Sequence, residues 1–223
     1  VTNKSEKNLL KEVLGDLTII RNGIDKNRFI ELKSIYKPSS RKSIMEITYA
    51  GNIGIAQNLE TLIIACEKNK AISVKIIGDG KDLGRLKKIV EEKRISNVSF
   101  TGEIDWHSLK RYYQRTDIFY LQIGEQFKTA VPSKIFEYLS TGKHIILSAP
   151  YGAATELSNN FGGIDIVSPN NSDQLRKKIE EIYNSESINT SYKANLNKIE
   201  KKYIRDRQAE KLLFTVRKII MVN

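Results

Sequence analysis

Short runs of β-branched and aromatic residues alternate along this chain with stretches whose apolar positions recur at helical spacing. The apolar runs fall at Leu17–Ile20, Ile44–Ala50, Ser73–Ile77, Val98–Thr101, Ile118–Gln122, His144–Ser148 and Ile164–Val167, and their length and composition predict strands. Between most of them the period changes to that of an amphipathic helix. One helix is predicted over about Ala56–Lys68, with Leu59, Leu62, Ile63 and Cys66 on one face, and others over Leu83–Lys93 and His107–Arg115. Later ones cover Lys134–Ser140, Ala153–Asn159 and Asp173–Tyr183, the last with Ser172 as N-cap and Leu175, Ile179 and Ile182 inward. Short apolar strands alternating with helices imply a parallel sheet covered on both faces. The expected fold class is therefore α/β, a doubly wound parallel sheet, in which ligands bind beyond the carboxyl ends of the strands.

The two ends carry patterns of their own. Val1–Leu14 reads as a strand end followed by a helix leading to a linker. Near the other end Ala209, Leu212, Leu213, Val216, Ile219 and Ile220 form one apolar helical stripe, flanked by Arg205, Arg207, Lys211, Arg217 and Lys218. That stripe could pack on its own domain or on a separate one. A bilayer-facing role would need a stripe not already used.

Composition narrows the class without naming a function. The chain of 223 residues is 40% hydrophobic and 28% charged, ordinary for one large or two small globular domains. No apolar run is long enough for a transmembrane helix, and Val1–Glu12 lacks the apolar core of a signal peptide. A single cysteine, Cys66, excludes an internal disulfide and reads as a small buried filler. The net charge of +11 calls for an anionic partner. Its lysines are spread over helices, as at Lys87-Lys88, Lys177-Lys178 and Lys201-Lys202, and no basic cluster is interleaved with aromatics. A nucleic-acid partner is not expected. A solvated basic surface that also favours an anionic membrane or acceptor fits better.

The strand ends carry the candidate chemistry. Gly51-Asn52-Ile53-Gly54 follows the second apolar run, Gly78-Asp79-Gly80 the third, and Thr101-Gly102-Glu103 the fourth. Each glycine could let a ligand approach the backbone, or simply make a turn. The dinucleotide fingerprint G-x-G-x-x-G is absent. Pro132 and Ser133 open a further helix whose free N–H groups attract anions, and Lys134 and Glu137 project from one face near that end. A cation beside free amides suits a diphosphate, and a carboxylate one turn on suits sugar hydroxyls. A capped surface helix with an ordinary Lys–Glu pair is the plain alternative. All these ends should open on one edge of the sheet, which favours a phosphate-bearing ligand lying along it.

Five motifs then occur in order: Asn22-Gly23-Ile24-Asp25 with Phe29, Tyr49–Gly54, Ile76–Gly80, Val98–Gly102 and Pro132–Tyr138. Together they resemble the C-terminal half of family-4 retaining glycosyltransferases of the GT-B fold, similar to bacterial enzymes of O-antigen and capsule synthesis. The resemblance covers nearly the whole chain. It implies a division into residues 1–15, a remnant of an N-terminal domain and linker; 16–200, a Rossmann-like nucleotide-sugar domain; and 201–223, a closing amphipathic helix. It further implies a nucleotide diphospho-sugar, UDP-linked, in the cleft facing an N-terminal acceptor-binding domain. Glu137 then matches the second glutamate of the family's pair and meets the ribose. Ser133 and Lys134, with backbone amides from Ala130 and Val131 onward, serve the diphosphate. Gly51, Asn52 and Gly54 approach it from the other side, Gly78 and Gly80 line the same cleft, and Gly102, Glu103 and Ile104 hold the base. No catalytic residue is assigned, and Lys134 is the candidate for stabilising the leaving diphosphate. Such enzymes work without a metal or other cofactor, and the chain contains no Asp-x-Asp.

Several positions depart from the family pattern. The first glutamate should stand at Thr129, so the sugar contact falls to Thr129, Glu125 or backbone. Asn52 and Gln57 stand near the places of an arginine and a lysine in the first loop, with Lys134 and Lys128 as compensating cations. His144 replaces a proline and reads as a structural variation, and neither it nor His107, beside Trp106, makes a metal site. The reading that results is a cytoplasmic transferase domain, peripheral to the inner membrane if its acceptor is a lipid-linked saccharide, building a surface polysaccharide from a sugar that could be N-acetylated. The alternatives are a non-catalytic donor-binding subunit that needs a separate acceptor domain, and an enzyme like UDP-N-acetylhexosamine 2-epimerase.

Overall fold

The computed structural model describes residues 1–14, 17–36, 43–185 and 193–222. Six strands, β1 (Met45–Ala50), β2 (Ile72–Ile77), β3 (Val98–Gly102), β4 (Ile118–Gln122), β5 (His144–Ser148) and β6 (Ile164–Val167), form one sheet in the order β3-β2-β1-β4-β5-β6. Every pairing is parallel. The chain winds outward from β1 to β3, returns to β4 beside β1, and winds the other way. The seam between β1 and β4 is the switch point at which such sheets hold ligands.

Helices cover both faces. One face carries α3 (Glu60–Cys66), α4 (Leu83–Glu92) and α8 (Ser172–Asn184), packed on Ile47, Val74, Ile118, Tyr120 and Ile146. The other carries α2 (Lys26–Lys33), α5 (Trp106–Arg115), α6 (Lys134–Ser140), α7 (Ala153–Ser158) and α9 (Lys193–Lys202), packed on Phe119, Leu121, Ile145 and Leu147. Successive residues of β4 and β5 thus enter opposite cores, so these strands are buried throughout. Continuous apolar runs are the result, and both strands match the sequence expectation to the residue. Edge strands β3 and β6 are only partly buried.

Other expectations need correction. Leu17–Ile20 is not a strand: it joins no sheet neighbour, and its polar groups go to Val1 and Lys211 instead. No strand end precedes α1 (Lys4–Leu14) either. The helix expected over Ala56–Lys68 is broken into a 3-10 turn, Ile55–Gln57, and α3, because Asn58 between them is left-handed at φ 32°. Leu59, Leu62, Ile63 and Cys66 still face inward. Asn171 rather than Ser172 caps α8, accepting from the Gln174 amide at 2.9 Å. Asp105 likewise caps α5, which begins at Trp106. Helices α2 and α9, short and polar outside, carry no strong period and were not expected.

The last helix, α10 (Arg205–Val222), answers the question of its apolar stripe. Leu212, Leu213, Val216 and Ile220 are all exposed, so the stripe does not pack on this domain. The side chain of Ile219 and the expected boundary at residues 15 and 16 lie outside what is described.

Candidate functional site

Helix α6 begins beside the switch point and is fixed there by one side chain. The Tyr138 hydroxyl accepts from the Ala50 amide at 2.9 Å and donates to the Ala50 carbonyl at 3.2 Å, closing the carboxyl end of β1. Its ring stacks on Phe119 of β4 at 4.2 Å. The first turn of α6 is thereby held across the β1–β4 seam. Within that turn Lys134 Nζ lies 2.9 Å from Glu137 Oε2, and the Tyr113 hydroxyl donates to the same oxygen at 3.3 Å. The expected shared face of Lys134 and Glu137 is present, as an ion pair with 30% and 24% of the side chains exposed.

The turn leading into α6 is tight. Ser133 is already helical and makes no side-chain cap. The Ile135 and Phe136 amides bond to the carbonyls of Pro132 and Ser133. The Ala130 amide is engaged by the Phe127 carbonyl at 2.8 Å, which removes it from the amides expected to face an anion. Val131, Ser133 and Lys134 keep amides with no partner among the described residues.

Three glycine-bearing loops meet α6 at a cleft of about 370 Å³, bordered by Gly51, Asn52, Gly78, Glu103, Ile104 and Lys134 among the expected residues. Asp79 and Leu109 join them. The loops are laced together: Gly51 N–H donates to Ile77, Ile53 N–H to Asp79, and Gly78 N–H to Gly102. Glycine is needed for that contact itself. A Cβ on Gly78, at φ +127°, would lie 2.0 Å from the Gly51 carbonyl oxygen, and one on Gly80 would lie 2.3 Å from that of Ile53. The turn reading of these two glycines therefore has a direct cause in loop-on-loop packing. Gly80, Gly54 and Gly102 do not border the cleft. Gln57 is committed to its own loop, accepting from the Gly54 amide at 3.1 Å.

Ala130 and Val131 face the other way. Ala130 and Val131 border a second cleft of about 710 Å³ with Asn3, Arg21, Glu156, Asn159 and Tyr203. The Thr129 carbonyl accepts from Asn3 Nδ2 at 2.8 Å, and the Lys128 carbonyl from the Ala153 amide at 2.8 Å. The segment before α6 is thus pinned to α1 and α7 and forms the ridge between two clefts. The expected residues are brought to one rim but divided by it, and Thr129, Ser133, Glu137, Glu125 and Lys128 border neither cleft.

The remaining chemical groups are structural. Burial pushes the Cys66 thiol up to about 12. His144 is buried, with Nε2 2.7 Å from Asp165 Oδ2, a contact that holds the Asp165 carboxyl below its ordinary value. His107 lies in the first turn of α5, on neither cleft. Among the described residues there is no group of three His, Cys, Asp or Glu side chains able to hold a metal, and no helix long and apolar enough to cross a membrane. Sequence reasoning missed Tyr113. It stands beside Tyr112 in a helix, and nothing local distinguishes the two.

Known proteins resemble this chain in sequence and in fold. The family model described as "Glycosyl transferases group 1" matches residues 35–202. An uncharacterized glycosyltransferase of Methanocaldococcus jannaschii is 22% identical over 204 residues, 86% of this chain and 51% of its own length. The Escherichia coli K12 protein WcaI, named as a glycosyl transferase of colanic acid biosynthesis, is 27% identical over 133 residues, 58% of this chain and 32% of its own. Among solved structures, Anabaena HepE in complex with UDP and glucose superposes with a TM-score of 0.74 at 13% identity, over 97% of this chain and 62% of its own. The chain thus spans about half the length of the archaeal relative.

Proposed function

The chain belongs to the group 1 glycosyl transferases, and from that premise we propose that it is the donor-binding half of a retaining transferase that takes a sugar from a UDP-linked donor. The observation that carries the reading is the 370 Å³ cleft at the β1–β4 switch point, where backbone loops and the Lys134 ammonium converge. A cleft of that size accommodates a nucleotide diphosphate part by part. In this reading Lys134, with the free amide of Ser133 beside it, meets the diphosphate. Gly51 and Asn52 approach from the opposite wall, Glu103 and Ile104 hold the base, and Glu137 accepts from the ribose hydroxyls. Charge that develops on the leaving diphosphate is balanced by Lys134 and oriented amides, which act without reorganising as the bond breaks. UDP is the nucleotide to test first because HepE, of the same fold, is solved with it.

The acceptor is assigned to a separate domain, and colanic acid in the name of WcaI is the support for a surface polysaccharide as the product. A lipid-linked saccharide at the inner membrane face fits that role. Calorimetric titration of the chain with UDP and UDP-sugars tests the donor site. Weak binding is expected, and no heat at millimolar ligand would sink the assignment. One observation favours a non-catalytic donor-binding subunit instead: Thr129 bears no carboxylate, and its carbonyl is occupied by Asn3. Turnover restored on mixing the chain with a separately encoded acceptor domain would decide for the subunit.

A further inference from the structure

The ribose assignment of Glu137 raises the question of what aims its carboxylate. Lys134 cannot do so once it has turned to a diphosphate, because a partly exposed ion pair is weakly held. Tyr113 is differently placed. It comes from α5, is 0% exposed, and its hydroxyl has Glu137 Oε2 as its partner, at 3.3 Å. Its ring is gripped edge-on by three others: Phe119 at 4.8 Å, Tyr138 at 5.9 Å and Trp106 at 6.4 Å. Trp106 is itself anchored. Its indole N–H donates to Glu31 Oε2 at 2.7 Å, and the Arg28 guanidinium lies 3.4 Å over its face. A buried hydroxyl keeps a hydrogen-bond partner because losing it leaves the group unsatisfied. Burial raises the Tyr113 hydroxyl well above its ordinary value, so it remains a donor at neutral pH.

We propose that Tyr113 is the positioning residue for Glu137: its fixed hydroxyl holds Oε2, so that Oε1 stays aimed at the ribose hydroxyls when Lys134 leaves for the diphosphate. The inference rests on the ribose reading of Glu137. It assigns to the first turn of α6, beside the cleft, a recognition of the 2′- and 3′-hydroxyls that depends on a residue not itself in contact with the ligand.

The test compares the affinity of the 223-residue chain for UDP and for 2′,3′-dideoxy-UDP. The parent chain is expected to prefer UDP about tenfold, as for one charged hydrogen-bond contact. Tyr113→Phe keeps every ring contact and removes only the hydroxyl. It should cut the preference to about two- or threefold through weaker UDP binding, with dideoxy-UDP affinity unchanged. A purely structural role would weaken both ligands alike, and that result overturns the proposal. A second variant, Glu137→Asp, draws the carboxylate back from Tyr113 without losing charge. It should lose the preference to a similar extent, and a preference kept at the parent value overturns positioning even if Tyr113→Phe fails to fold. Glu137→Ala separates the two layers. If it leaves the preference intact, the ribose reading falls; if it abolishes the preference while Tyr113→Phe keeps the parent value, the role of Tyr113 alone falls.

Discussion

In the free chain the Lys134 ammonium rests on a carboxylate, Glu137 Oε2, at 2.9 Å. With about a quarter to a third of each side chain exposed, such a pair contributes under about 1 kcal/mol. A charged hydrogen bond to a diphosphate contributes roughly 1.5–3 kcal/mol. If Lys134 meets a diphosphate as proposed, the ammonium gains by changing partners, and the pair acts as a place-holder rather than a lock. Lys134→Gln should weaken UDP binding about tenfold while leaving uridine binding unchanged, measured by calorimetry. An equal loss for both ligands would remove the diphosphate role. The spacing of Lys134 and Glu137 made this pair legible in the sequence, since residues three apart share a helix face. Tyr113 was not legible. Tyr112 and Tyr113 are chemically alike, and only the packing of α5 on β4 and α6 leaves one partly open and the other at 0% exposure.

At the scale of elements, the cleft exists because two loops touch. The backbone of residues 51–53 lies against that of residues 78–80, closely enough to exclude a Cβ at Gly78 and at Gly80. Gly78→Ala should destabilise the chain by about 1–3 kcal/mol in urea unfolding, since the clash is with backbone and cannot be relieved by a rotamer. It should weaken UDP binding as well, because the displaced loop borders the cleft. Gly84 is the control: a Cβ there meets nothing within 4 Å, and Gly84→Ala in α4 should raise stability by about 0.5 kcal/mol. The sequence marks all these positions as glycine without distinguishing a contact that demands it from a site that tolerates it. Strands β4, β5 and β6 and helix α6 were legible to the residue, as buried apolar runs and a helical period opened by proline are local signals. The break at Asn58 and the exchange of Ser172 for Asn171 as a cap were not, because neighbouring polar residues compete for such positions on geometry alone.

At the scale of the molecule, the chain carries a cleft at its switch point and, on α10, an apolar stripe that its own core does not cover. Leu212 and Leu213 are 48% and 57% exposed, so changing both to Ser should leave the melting temperature of the chain within about 2 °C of the parent. A drop of many degrees would show that the helix packs on this domain after all. The isolated chain is expected to bind UDP but to transfer no sugar, as read by release of UDP from a UDP-sugar with and without a saccharide acceptor. The pattern of apolar runs determined the layered α/β class and the six strands of its sheet. These follow from local periodicity, which each segment expresses without reference to the others. The tertiary structure decided which glycines meet one another, which of two tyrosines reaches Glu137, and that Ala130 and Val131 face a different cleft from Lys134. Those depend on contacts between segments far apart in the chain, where a few ångströms of packing separate a ligand group from a structural one.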